Sequence, residues 1–341
     1  MESEKLKGNR EQVTGIVVQK HSRMSKRPDN KQRFCSLLTV YCLLFFFVLA
    51  VNVHAESVRY AVIPEYPRPG EPVTVGVEDT AGVKAAVLLS GGKRLSKAAF
   101  FTVPAEGASP SFSAAVLAVP STVKPGTAII TLEGAWGTVI EIPLEIAERE
   151  FASETVHLNE ALTGLRTIPD PQKTAEAEHL WAIFNSSGND TYFFGKFIPP
   201  VNSTRRTSVF GGRRVYRYSN GSSDTTIHAG IDYGVPKGTE VRACGSGRVV
   251  LARYRIVTGY TVILEHLPGV YSLYYHLDRI IAAEGDTVNI WALLGYSGAT
   301  GLATGPHLHW EIRVSGENTD PDAFIARPIL DKEAILGKIN N

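Results

Sequence analysis

Gly305-Pro-His307-Leu-His309-Trp-Glu-Ile-Arg313 reads as a turn running into a β-strand. Side chains alternate across a strand, so His307 and His309 share a face while Leu308 turns away. Their backbones stand roughly 6–7 Å apart, so both imidazoles can serve one site. One can bind a metal ion while the other meets the metal's water. The preceding run, Gly295-Tyr-Ser-Gly298-Ala-Thr-Gly301-Leu-Ala-Thr-Gly305, is punctuated by glycine and can bring its backbone close to a ligand. The C-terminal part of the chain is therefore read as β structure carrying histidines on a sheet face.

Five of the nine histidines fall after residue 220. Ile227-His228-Ala-Gly-Ile-Asp232-Tyr233 spaces a histidine and a carboxylate four apart. On a straight strand that separation is about 13 Å, too far for one ion. Gly230 and the β-rich flanks argue against a helix, so the chain must bend, and Gly230 can supply the bend. Tyr271-Ser-Leu-Tyr-Tyr-His276-Leu-Asp278 closes an aromatic strand on a third histidine. Each element alone has an ordinary reading, as a surface histidine, a turn aspartate or a packed ring. Together they are specific: two histidines and a carboxylate leave a fourth position open on zinc, the catalytic arrangement. Other first-row metals suit a similar set, and zinc is preferred because nothing signals redox chemistry. Strands are expected at Glu240–Arg242, Gly247–Arg253, Tyr260–Glu265, Val270–Tyr275 and His307–Val314.

Upstream, residues 56–148 show about seven short apolar runs separated by Gly/Pro breaks, which predicts an immunoglobulin-like β-sandwich. Residues 149–208 form a connector. There Asp170-Pro171 starts a helix over Gln172–Phe184, with Ala177, Leu180, Trp181 and Phe184 on one side. Residues 1–34 hold nine Lys/Arg against four Asp/Glu, and residues 35–55 carry no charge. A basic start, an apolar run and Ala55 before Glu56 make residues 1–55 a leader of secretory type, with Met24 as a second candidate start. The rival reading is an uncleaved anchor, the one route by which the chain would meet a membrane. Of the overall charge of +1, residues 56–341 carry −4, which gives no reason to expect nucleic acid. Cleavage would leave Cys244 as a single thiol, read as a buried structural residue.

Residues 209–326 resemble the catalytic domain of the lysostaphin/LytM-type M23 zinc metallopeptidases. The likeness runs in order through Phe210-Gly-Gly-Arg213, His228-Ala-Gly-Ile-Asp232, Pro236-x-Gly238-Thr-x-Val241-x-Ala243 and Gly245-x-Gly247-x-Val249. It continues through Tyr274-Tyr-His276-Leu277, Gly298-x-x-Gly301 and Thr304-Gly-Pro-His307-Leu-His309. The resemblance implies a peptidase domain over residues 209–328, followed by a tail at 329–341, in a mainly β chain. It implies one Zn2+ held by His228, Asp232 and His309, with His276 and His307 as unligated catalytic histidines and Arg213 contacting substrate. It also implies an exported endopeptidase acting on peptide cross-links of bacterial peptidoglycan. The alternative within the same fold is a catalytically silent regulator of cell-wall amidases. The chain departs from the family pattern at Val215–Thr226, which is longer and more polar, and at Tyr254–Tyr260. Both segments are expected to border the cleft.

Overall fold

The computed structural model describes residues 58–340, apart from 79–81, 108, 136 and 187. The leader at residues 1–55 lies outside the described residues. Among those described, no helix is long and apolar enough to cross a membrane.

Tyr60 to Ile146 form two four-stranded antiparallel sheets. One is ordered Tyr60–Ile63, Pro72–Val77, Phe112–Ala118, Phe101–Val103; the other Lys93–Ala99, Val83–Ser90, Gly126–Gly134, Gly137–Ile146. Period-two alternation builds their interior. Along Gly126–Gly134, Ala128, Ile130 and Leu132 are buried while Ile129 faces solvent. Val73, Val75, Val77, Leu88, Leu117, Ile130 and Leu132 share one apolar core. Among the described residues eight strands stand where about seven runs were expected, because the run at 99–103 divides at Phe100 between the two sheets. Lys93–Ala99 is hard to see in sequence, since Lys93, Arg94, Lys97 and Ala99 all point to water.

The Phe112–Ala118 strand is buried on both faces. Ala115 and Leu117 enter the sandwich core, while Phe112, Ala114, Val116 and Ala118 enter the core of the C-terminal half. The neighbouring Pro72–Val77 strand does the same. Its Thr74 hydroxyl donates to the Ile329 carbonyl, and Gly76 lies so close to Ile335 that a Cβ would come within 2.3 Å of its side chain. Residues 329–340 therefore hold more than a loose end. Asp331 caps the helix Lys332–Ile339, which buries Ile335 and Ile339 against the sandwich.

The C-terminal half is built on a ten-stranded antiparallel sheet. Its main path runs Arg206–Ser208, Gly230–Tyr233, Leu308–Val314, Val270–Ile280, Gly259–Leu267, Gly247–Arg255, Thr287–Val288. The three strands from Leu308 to Leu267 in this order are buried along almost their whole length. A second, three-stranded sheet pairs Ser223–Ile227 with Arg213–Arg217, which in turn pairs in parallel with Ser153–His157 of the connector.

The connector also holds helices Glu160–Thr167 and Pro171–Asn185, the second capped by Asp170 as expected. Its inward face is rotated from the expected one. Leu180, Ile183 and Phe184 pack on Leu251, Ile263, Tyr271 and Leu273, whereas Ala177 is exposed and Trp181 is half exposed. Polar partners explain the rotation. Lys173 donates to the Leu165 and Ile168 carbonyls, and Glu176 accepts the Ile256 amide, so these two turn inward ahead of Ala177.

Candidate metal centre

Gly230–Tyr233 and Leu308–Val314 pair so that Asp232 lies directly opposite His309. Cross-strand neighbours place their Cβ atoms about 5 Å apart, and here His309 Nδ1 stands 2.8 Å from Asp232 Oδ1. His228 sits where the chain leaves the three-stranded sheet for the large one, after Ile227 and before Gly230. That switch of sheets is the bend the spacing required. Gly230 contributes differently from the expectation: a Cβ there would lie 2.2 Å from the Trp310 carbonyl oxygen, so glycine permits the close strand approach. His228 Nε2 then comes within 3.1 Å of both Asp232 Oδ1 and His309 Nδ1.

The three donor atoms lie within 4.8 Å of one another, and all three residues are buried. Their outer atoms fix which lone pairs point inward. His228 Nδ1 is 2.9 Å from the Val209 carbonyl, which can only accept, so Nδ1 carries hydrogen and Nε2 is the donor site. On His309 the roles reverse: Nε2 faces the Glu311 carboxylate at 3.4 Å, leaving Nδ1 inward. Two imidazole nitrogens and a carboxylate oxygen thus converge, the donor set zinc takes.

The electrostatics agree. Burial opposes ionisation of Asp232, but hydrogen bonds to His228 and His309 outweigh it and hold the carboxyl well below its usual range. Burial also works against charge on His309, yet the acceptors Asp232 and Glu311 raise it to about 9. A proton held at His309 is one that a bound metal ion would have to displace. Glu311, despite burial, is held at about 2 by Arg313 and His309.

His276 and His307 adjoin this cluster, their ring centroids 4.8 Å apart. Each Nδ1 lies 2.8 Å from a carbonyl, Thr300 for His276 and Gly305 for His307. Both Nδ1 atoms are thus donors, and each Nε2 keeps a free lone pair. Burial, then the neighbouring His307 and His309, push His276 down to about 3. Burial likewise lowers His307, against the pull of Asp232. A cavity of about 250 Å³ is lined by these histidines together with Leu158, Arg166, Tyr216 and Leu302.

Arg213 does not engage His228, Asp232 or His309. Its guanidinium donates to the Ser121 and Gly211 carbonyls and stacks on Phe151. It lines a larger cavity of about 660 Å³, with Ser121 and Thr225, that contains none of the five site residues. Arg214 takes the inner position instead. It donates to Asp232 Oδ2 at 3.2 Å, to Ser208 Oγ at 3.0 Å and to the Glu154 carboxylate. Adjacent strand residues point oppositely, so Arg213 and Arg214 of strand Arg213–Arg217 turn to different sides. Glu311 and Tyr275 were also passed over. Glu311 follows His309 by two and shares its face, and Tyr275 pairs across from His309 with its ring stacked at 6°.

Residues 226–321 match the model of peptidase family M23. The DD-carboxypeptidase/endopeptidase Mpg of Neisseria meningitidis is 39% identical over 124 residues, 36% of this chain and 28% of the relative. The peptidoglycan DD-endopeptidase ShyA of Vibrio cholerae is 36% identical over 172 residues, 50% of this chain and 39% of the relative. The matched region spans well under half the length of either relative. A solved Pseudomonas aeruginosa chain described as a peptidase M23 superposes with a TM-score of 0.54 at 24% identity, over 76% of this chain and 94% of that one, a likeness of fold.

Proposed function

We propose, for a chain whose residues 226–321 belong to peptidase family M23, a zinc-dependent endopeptidase that cuts the peptide cross-links of bacterial peptidoglycan. The observation that carries this reading is the convergence of three lone-pair donors beside two imidazoles whose Nε2 atoms are free. His228, Asp232 and His309 hold one zinc ion per chain. When bound, the ion polarises the scissile carbonyl and acidifies a water.

The protein's own groups do the rest. His276 and His307 are neutral acceptors at neutral pH, so either Nε2 can take the proton of the attacking water. The imidazolium formed is buried and disfavoured, which drives the proton onward to the leaving amine. Arg214 engages the outer oxygen of Asp232 and leaves Oδ1 for the metal. Glu311 and the Tyr275 ring hold the plane of His309. The reading takes residues 1–55 as the export leader and 56–148 as an immunoglobulin-like domain, in an enzyme working in the cell envelope.

The test is to incubate the protein with purified peptidoglycan and identify the released fragments by mass spectrometry. Cross-linked dimers should fall to monomeric stems, stop doing so after chelation and resume when Zn2+ is restored. Metal-loaded protein that breaks no peptide bond in this substrate would reject the reading.

A further inference from the structure

We infer that Glu176, on the connector helix Pro171–Asn185, is a positioning residue for His276. The inference rests on the peptidase reading above. It starts from the backbone of His276, which has φ of +60°, a left-handed conformation unusual outside glycine. Such a residue is held only where its surroundings over-determine it. Two carbonyls do the holding. The His276 amide donates to Thr258 O, and its ring Nδ1 donates to Thr300 O, both at 2.8 Å.

Both carbonyls belong to one assembly. Thr258 lies in the turn between strands Gly247–Arg255 and Gly259–Leu267. Gly259, at φ of +66°, packs on Thr300 so tightly that a Cβ would sit 2.1 Å from its hydroxyl. The Thr300 hydroxyl donates to Leu277 O and accepts from the Tyr260 amide, and the Leu302 amide donates to Val257 O. The turn itself is anchored from outside. The Glu176 carboxylate accepts the Ile256 amide at 3.0 Å, and Arg255 reaches both the Glu176 carbonyl and the Thr258 hydroxyl. The idiosyncratic segment Tyr254–Tyr260 is thus the link by which a helix outside the peptidase sheet sets the ring of a catalytic histidine.

Glu176 acts here as a hydrogen-bond acceptor, so Gln can replace it and Ala cannot. On a soluble cross-linked muropeptide dimer, E176A should lose about 10- to 100-fold in kcat, the scale of a small misplacement of a catalytic group. KM and bound zinc should stay at wild-type levels. E176Q should recover to near the wild-type kcat. If E176A does not accumulate folded, E176D, which retracts the carboxylate by one methylene, should show the same selective loss in kcat. The inference is overturned by wild-type kcat in folded E176A or E176D, by E176Q falling as far as E176A, or by equal changes in KM or metal content. Wild-type protein that cleaves no dimer would instead defeat the peptidase reading itself.

Discussion

The sandwich and the ten-stranded sheet obey the same alternation of side chains, yet they spend their inner faces differently. In the sandwich, Val73, Val75, Leu117, Ile130 and Leu132 meet as hydrocarbon. In the large sheet, one face of Leu308–Val314 presents His309 and Glu311 to a buried polar cluster while Leu308, Trp310 and Ile312 enter the apolar core. A buried charge costs several kcal/mol unless partnered. Asp232, His309, Glu311 and Arg313 therefore form a chain of contacts in which each charge has an opposite neighbour. The contrast shows that burial alone does not mark a core. What separates a packing face from a reacting face is whether its polar atoms are satisfied by one another or point into shared space.

Substitutions can break or sharpen this contrast. The largest effect is expected at the proposed metal ligands: His309→Ala or His228→Ala should abolish zinc binding and with it all measurable cleavage, read by metal analysis and peptidoglycan digestion. Removing His276 or His307 should spare the zinc but lower turnover by about 10²–10⁴, the usual contribution of a general acid–base group. Normal turnover in either variant would refute the division between ligands and proton carriers. In the sandwich, Leu117→Ala should cost about 2–5 kcal/mol of stability, seen in urea unfolding, while the folded fraction cleaves at the unaltered rate.

The smallest effect concerns a histidine inside the apolar layer. Burial holds His266 down at about 4, from 6.5, with Nδ1 bonded to the Ser246 carbonyl and Nε2 beside Ser272. Cys244 and the Phe197 ring complete its surroundings, and the Ser272 hydroxyl in turn donates to Tyr274. Between those two values the unfolded chain binds the extra proton and the native one does not, so stability is full above about pH 6.5 and falls as pH drops toward 4. Lowering pH from 7 to 5 should remove about 2 kcal/mol through this group. His266→Asn should flatten that slope in unfolding titrations.

Much of this was legible in the residues themselves. Alternation placed His307 and His309 on one side, and the impossible span from His228 to Asp232 on a straight strand demanded a bend that the change of sheets supplies. Other features were hidden for physical reasons. Lys93–Ala99 pairs as a strand but buries little, so it carries no apolar signature. The connector helix turns Lys173 toward the Leu165 and Ile168 carbonyls and Glu176 toward the remote Ile256 amide, contacts that apolar periodicity cannot foresee. Arg213 and Arg214 are chemically identical neighbours, and only the direction of the strand decides which one reaches Asp232. The end of the chain reads only as a tail, but Ile335 finds a slot that Gly76 leaves open more than 250 residues earlier.

The Phe112–Ala118 strand carries one more consequence. Because Ala114, Val116 and Ala118 close the floor beneath the ten-stranded sheet, the two halves cannot be exchanged like cassettes. A gene trimmed to residues 209–341 would expose a hydrophobic panel and yield inclusion bodies or clumped protein in place of a minimal enzyme. A graft from a relative would have to reproduce the small side chains at 114 and 118, or recombination would leave either a clash or a hole.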